Sequence, residues 1–429
     1  MTAATRGRIL RVGTPARAHS GAPAVSDITV WRVLILVLTL PMFGGLLFYV
    51  VDAKAFYLLA KVWPLLTAPL TLIAAWRLNP PYQPLVLAIC AWLLGVTPFI
   101  GVTQLGNDVV GAVASSAKIW PLTGALGAAA MLWMVRPTPD DLARAILVLA
   151  GLTFGFLVGA WLFAPESLFH QGIEDTKIFL TDLERGRRIN VPTMFGVMAL
   201  FLINRSFWGR PAVWKALLIG IGLVCMVMMY KQRAQIGGTV AVLGVGAMLS
   251  LRRWQGPAMM AAVSVVIAAA LPVSLWLGQN AADSLGGSLS MRQIEAEAAL
   301  RFLNDQPLRW ITGVGSATRV GDVTLGDIVG TPFFFPSDLG WLGVVFEYGL
   351  IGAGLMLALH LYAIRLAGQA ARSGGLAARA VFDYSIFLLV VSPVVSVVLS
   401  PGELATVLAL AWWLRTPQAR PGAASPSAP

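Results

Sequence analysis

The stretch LARAILVLAGLTFGFLVGAWLFA, Leu142 to Ala164, carries a single charge, Arg144, close to one end. As a helix rising ~1.5 Å per residue it is long enough to cross a hydrocarbon core of ~30 Å. Its apolar residues run on without the alternation over ~10 residues that marks an outer-membrane barrel strand. Similar runs recur between short polar breaks throughout a chain that is 57% hydrophobic and 12% charged, against ~25% charged in soluble domains. This predicts an all-α, polytopic transmembrane helical bundle of about 12 spans. They are placed at 30–50, 55–76, 84–104, 112–135, 142–164, 191–207, 212–230, 234–251, 257–277, 340–364, 379–398 and 402–415.

The net charge of +11 would suit a nucleic-acid partner if the basic residues formed one patch. They lie instead in the breaks between apolar runs. Arg77, Arg136, Arg144, Arg205, Arg210, Lys215, Arg252, Arg253, Arg365, Arg372, Arg379 and Arg415 share a side with the arginines of both tails. The short loops opposite hold only Lys54, Lys231 and Arg233. Positive residues collect on the cytoplasmic side of short loops, so charge reports topology and no nucleic-acid partner is expected. The expected organisation is a disordered cytoplasmic tail at 1–27, transmembrane helices 1–9 over 28–278, a large periplasmic loop at 279–338 between spans 9 and 10, helices 10–12 over 339–415, and a cytoplasmic tail at 416–429. No cleavable signal peptide is expected, because the first apolar run begins near Ile28 and is too long for an h-region. Cys90 and Cys225 both fall in apolar runs and read as small buried hydrophobes.

In the large loop, Met291 to Leu303 reads as an amphipathic helix with Ile294, Ala298 and Phe302 on one face. Gly313, Gly315, Gly321, Gly326 and Gly330 then predict an irregular lobe, and Phe333, Phe334 and Phe335 predict order near the membrane surface.

The sequence has no P-loop, dinucleotide fingerprint, Cys/His metal cluster or Gly-x-Ser-x-Gly elbow, so neither metal nor cofactor is expected. His19, His170 and His360 each stand apart from a nucleophile or carboxylate in sequence. The informative charges lie at the outer boundary, where charge is costly unless it serves a ligand or pairs internally. Arg233 stands between two spans with almost no loop; it reads as a headgroup-snorkelling arginine or as an anion ligand. Arg185, Arg187 and Arg188 precede Asn190 and Pro192, and solvation of a loop is their plain alternative. Arg292 has Glu295 one turn on, at salt-bridge spacing. Several guanidinium groups on one membrane face suit a diphosphate, which points to a lipid-linked substrate. Asp338 reads as a helix N-cap or as a carboxylate that takes a proton from a hydroxyl nucleophile. Lys61 and Lys118, inside predicted spans, read as reaching polar partners within the bundle.

These features are carried by short motifs: Leu289-Ser290-Met291-Arg292-Gln293, Asn304-Asp305-Gln306-Pro307-Leu308, Gly313-Val314-Gly315, and Trp341-Leu342-Gly343-Val344-Val345-Phe346-Glu347-Tyr348-Gly349-Leu350-Ile351-Gly352. Together they resemble the large-loop signature of the O-antigen polymerase and ligase superfamily, its exopolysaccharide polymerase branch most of all, over about 180–400. The resemblance implies a metal-independent glycosyltransferase at the outer face of the bacterial inner membrane, with a glycan on undecaprenyl diphosphate as donor. Arg233 and Arg292 would neutralise the departing diphosphate and Asp338 would assist as base. Arg188, Arg187, Lys231, Gln235, Arg319 and Trp341 would complete the substrate-binding set. Implied partners are the lipid-linked oligosaccharide, membrane lipids, a chain-length regulator and export proteins. Ligase-type members carry His-Asn where this chain has Asp338-Leu339, which favours a polymerase over an O-antigen ligase. A lipid-linked-glycan transporter or flippase is the reading from another class; no internal repeat supports it.

Overall fold

The computed structural model describes residues 27–50, 53–170, 178–182, 186–250, 287–316, 319–320, 323–331, 334–372, 375–396 and 401–416. The expected span at 257–277, Arg185 and Phe333 lie outside them. The helices in chain order are α1 (Asp27–Phe43), α2 (Lys54–Leu78), α3 (Gln83–Leu105), α4 (Val109–Val135) and α5 (Pro139–Phe163). A ribbon of β1 (Phe179–Asp182) and β2 (Gly186–Ile189) precedes α6 (Met194–Gly209), α7 (Val213–Tyr230) and α8 (Arg233–Ser250). The large loop holds α9 (Gly287–Asn304), α10 (Pro307–Thr312), a short ribbon of β3 (Arg319–Val320) and β4 (Val323–Thr324), and α11 (Leu325–Val329). Then come α12 (Gly340–Arg372), α13 (Leu376–Val391) and α14 (Pro401–Arg415). The bundle is helical as expected, and the two small antiparallel ribbons are the departure from an all-α chain.

Among the described residues, six segments are long and apolar enough to cross a membrane: α2, α3, α4, α5, α7 and Pro336–Arg372. The outward faces of these helices are apolar, with Leu58, Leu65, Leu152, Leu217, Ile221 and Val224 exposed, which suits hydrocarbon as solvent. The centre of the bundle is the second half of α4, packed on α14. Both are buried nearly all round. Ala125, Ala128 and Ala129 on one and Ala405, Ala409 and Ala411 on the other let the backbones approach closely. A capping box starts α5: Thr138 Oγ1 accepts from the Asp141 N–H, and the Asp141 carboxylate accepts from the Thr138 N–H.

One expected span is not a simple crossing. In a straight helix the Cα atoms of Trp341 and His360 would be about 28 Å apart at ~1.5 Å per residue, yet their rings lie 5.9 Å apart. The chain therefore folds back on itself at Gly349, whose φ of 69° and ψ of 179° break α12. The short arm Gly340–Tyr348 returns alongside the long arm that ends at Arg372. A Cβ at Gly349 would stand 2.1 Å from the Ile311 carbonyl oxygen, so only glycine fits this turn.

Breaking a helix frees carbonyls that must find donors. The Phe346 carbonyl accepts from the Val314 N–H at 2.9 Å and the Glu347 carbonyl from the Gly315 N–H at 3.0 Å. The Tyr348 carbonyl accepts from Trp92 Nε1 at 3.0 Å. The loop reaches this position because Gly315, at φ 94°, lies flush against Gly101, where a Cβ would come within 2.4 Å of the backbone. Beside the break, Lys118 pairs with the buried carboxylate of Glu347, while the Lys61 ammonium lies 4.4 Å from the Tyr57 ring centroid. Lys118 thus meets a polar partner within the bundle as expected, whereas Lys61 departs from that expectation, standing exposed on α2 over an aromatic ring one turn away. Trp92→Phe should leave the Tyr348 carbonyl unpaired and lower stability by about 1–3 kcal/mol, read as a lower melting temperature in detergent.

Candidate functional site

The candidate residues fall into two clusters. The first forms where β2 runs into α6 and α7 turns into α8. Ile189 and Val191 point into an apolar cluster with Leu157, so strand alternation turns Arg188 and Asn190 to the other face. There Asn190 Oδ1 accepts from Gln232 Nε2 at 2.5 Å, and Thr193 Oγ1 donates to Gln235 Oε1 at 2.9 Å. The two bonds hold the N-terminus of α8 against the end of the ribbon. The reversal between α7 and α8 is made by Lys231 in the left-handed region, φ 56°, and its ammonium lies 5.4 Å from the Trp161 ring. Arg233, the first residue of α8, is exposed. Arg188 is half-buried, and its Nε is fully covered with no hydrogen-bond partner among the described residues.

Arg187, adjacent in sequence, goes elsewhere. Its guanidinium pairs with Glu166 and lies 5.6 Å from the Phe169 ring. It is a strut of the ribbon and separates from the binding set in which the sequence placed it.

The second cluster forms between α9 and the 3-10 turn Pro336–Leu339, which pack together. It joins Arg292, Glu295 and Asp338. Of the face expected for the loop helix, Ala298 is buried and Phe302 packs against the cluster of Ala299 and Leu303, but Ile294 is 45% exposed and Glu295 takes its place on the buried side. Glu295 is 4% exposed. Burial, then the negative charge of Asp338, pushes its carboxyl from 4.5 up to about 7; the Phe335 N–H and the Arg292 guanidinium act in the opposite direction. Asp338 is exposed inside the 3-10 turn, whose N-cap is Phe335, so it is not serving as that turn's cap. The sequence reading passed over Glu295 except as a salt-bridge partner. Its signal was its place at the head of the Glu295-Ala298-Ala299 face.

A shared framework links the clusters. The Ser396 N–H donates to the Ser337 carbonyl at 3.0 Å, next to Asp338. Ser396 also lines a cavity of about 40 Å³ with Gln235, His360 and Glu403. Trp341 Nε1 donates to Ser392 Oγ at 2.9 Å, which makes Trp341 an anchor of the short arm of α12. Arg319 lies on β3, paired with Thr324. Separately, an apolar groove of about 720 Å³ runs between α1, α5 and α6 and includes Leu38, Leu152, Phe156 and Phe195, with Val191 and Pro192 at the ribbon end. Its lining reaches to within three residues of Arg188.

No protein-family model matches the chain, and a search of curated proteins found no match. The functional reading rests on the geometry of the site and on the motifs quoted above.

Proposed function

We propose that this chain is a twelve-span polysaccharide polymerase of the bacterial inner membrane, joining undecaprenyl-diphosphate-linked repeat units at the periplasmic face. The carrying observation is Arg188, a half-buried guanidinium with one covered N–H that has no partner among the described residues, in the segment that the Asn190–Gln232 bond ties to the turn before α8. A buried donor without a partner costs about 1–3 kcal/mol, and an anion with several oxygens relieves it. The N-terminus of α8 adds favourable potential for the same anion. A diphosphate placed there leaves its polyprenyl chain beside the apolar groove and its sugar toward Asp338.

In the proposed reaction an acceptor hydroxyl attacks the anomeric carbon from the face opposite the diphosphate. The new carbon–oxygen bond forms as the bond to the diphosphate breaks, and the diphosphate departs with the electron pair. Arg188 and Arg233 neutralise that departing charge, and the Asp338 carboxylate receives the hydroxyl proton. Arg292 lies on the other cluster, where its charge acts on Glu295. The three carbonyls freed by the break in α12 all accept protein donors. This favours a joint in the scaffold over the ion-coordinating broken helix of a transporter.

Deleting the gene and sizing the carrier-linked glycans tests the reading. Only single repeat units are expected in the deletion, with polymer restored by the wild-type chain. Full-length carrier-linked polymer in the deletion would overturn it in favour of a ligase.

A further inference from the structure

We infer that α10 is a lipid-seated anchor of the large loop, with Leu308 and Ile311 lying among acyl chains at the edge of the bundle. The helix is inside out for a segment in water. Its one charged side chain, Arg309, is 8% exposed, while Leu308 is 58% and Ile311 49% exposed. The Arg309 guanidinium is engaged within the lobe: Nε donates to Gln104 Oε1 of α3 at 3.1 Å, Nη1 donates to the Phe302 carbonyl at 2.8 Å, and the group lies 4.0 Å from the Phe302 ring centroid. Leu308 and Ile311, three residues apart, share the outward side. A surface helix that turns its cation inward and its large aliphatic residues outward is facing an apolar solvent.

The neighbours of α10 say which solvent that is. The Ile311 carbonyl packs on Gly349, so Ile311 adjoins Leu350, itself 55% exposed at the head of the long arm of α12. The outward side of α10 thus continues the apolar surface of a span. That arm runs about 22 Å from Leu350 to the exposed Arg365 and about 33 Å to Arg372. A hydrocarbon core of ~30 Å that begins at these arginines ends close to the level of Gly349 and α10. Trp310, half-buried beside them, donates from Nε1 to Asn304 Oδ1 at 3.1 Å, the two-sided setting that aromatic residues take at a membrane surface. The exposed Asn304, Asp305 and Gln306 lead into the helix from water.

An anchor at this level also sets the height of the Pro336–Leu339 turn. The short arm of α12, Gly340–Tyr348, runs about 12 Å back from the break, and Trp341 meets His360 well down the long arm. The turn that carries Asp338 therefore lies within the depth of the bundle, below α10. The bundle's place in a membrane is enough for this, and no step of the polymerase chemistry enters.

The test has two readouts on the full chain in liposomes of phosphatidylethanolamine and phosphatidylglycerol. In the first, the wild-type chain is irradiated with a phospholipid that carries a diazirine in its acyl chain, and the labelled residues are mapped by mass spectrometry. Label is expected on Leu308 and Ile311 as well as on Leu350 and Leu152 of the spans. Labelled spans with Pro307–Thr312 recovered unlabelled overturn the anchor. In the second, a nitroxide is attached after Leu308→Cys, Ile311→Cys or Asn304→Cys in a chain that also carries Cys90→Ala and Cys225→Ala, each variant confirmed as monodisperse. Oxygen should relax the labels at 308 and 311 more than a water-soluble nickel chelate does, and the order should reverse at 304. Nickel dominating at 308 and 311 would mean that α10 stands in water. Labels there shielded from both reagents would mean that protein, a partner or a second copy, covers the helix; either result overturns the inference. Neither readout needs a glycan, so failure of the polymerase reading leaves the anchor standing.

Discussion

Asp338→Asn is expected to lower polymer formation by about 10²–10⁴-fold, the usual contribution of a positioned general base, with the chain still present at wild-type level in the membrane. The asparagine keeps the shape of the turn and its exposure, but its amide cannot take the acceptor's proton. Because Asp338 lies on the surface of the 3-10 turn and forms no part of the apolar core, folding should be spared. Arg233→Ala should act with similar size by a different route. It removes a cation from the start of α8 while Asn190–Gln232 and Thr193–Gln235 still hold the helix in place. Arg187→Ala is the internal comparison: its charge is already satisfied by Glu166, so polymer length should change little. Sizing glycans in cells that carry each variant, normalised to membrane protein, separates the three. Equal losses for Arg187 and Arg233 would mean that the basic residues act as a diffuse field.

The second large effect is on stability. Asp383→Ala should destabilise the bundle by about 3–5 kcal/mol. Asp383 and Arg205 form a bidentate pair, Nε to Oδ2 at 2.7 Å and Nη2 to Oδ1 at 2.6 Å, between α13 and α6. Arg205 is 5% exposed and Asp383 is fully buried. Removing the carboxylate leaves a buried guanidinium that still donates to Ser250 Oγ at 3.2 Å but has lost its counter-charge. Replacing both members with apolar residues of similar volume removes the stranded charge and should cost much less. Thermal melts in detergent of the two single variants and the double variant give the comparison. A double variant as unstable as Asp383→Ala would show that the pair's worth lies in packing instead of charge.

Much of the architecture was legible because hydrocarbon-length apolar runs leave few alternatives, as at Leu142–Ala164. The turn at Gly349 was hidden for the same reason. The run after Trp341 is apolar on both sides of the break, and composition does not register a reversal made by one glycine. The face of α9 was legible at Ala298 and Phe302 but not at its head, because Glu295 looks like a surface residue in a polar loop. Its face is buried by the packing of Ala299 and Leu303 against Val314, Leu325, Phe334 and Phe346, partners distant in sequence. Arg187 and Arg188 are indistinguishable as loop arginines, and a strand of four residues sends them to opposite faces. By contrast, the motifs around Arg233 and Asp338 singled out segments that the fold connects through Gln235, Ser396 and Ser337.

The most direct measurement of the central claim is reconstitution of the purified chain in liposomes with one lipid-linked repeat unit as the only substrate and a metal chelator present. Polymerase activity predicts products of two or more repeats, with the carrier diphosphate released in step and the Asp338→Asn chain inactive. Substrate that stays a single repeat unit, or only crosses the bilayer unchanged, would contradict the account.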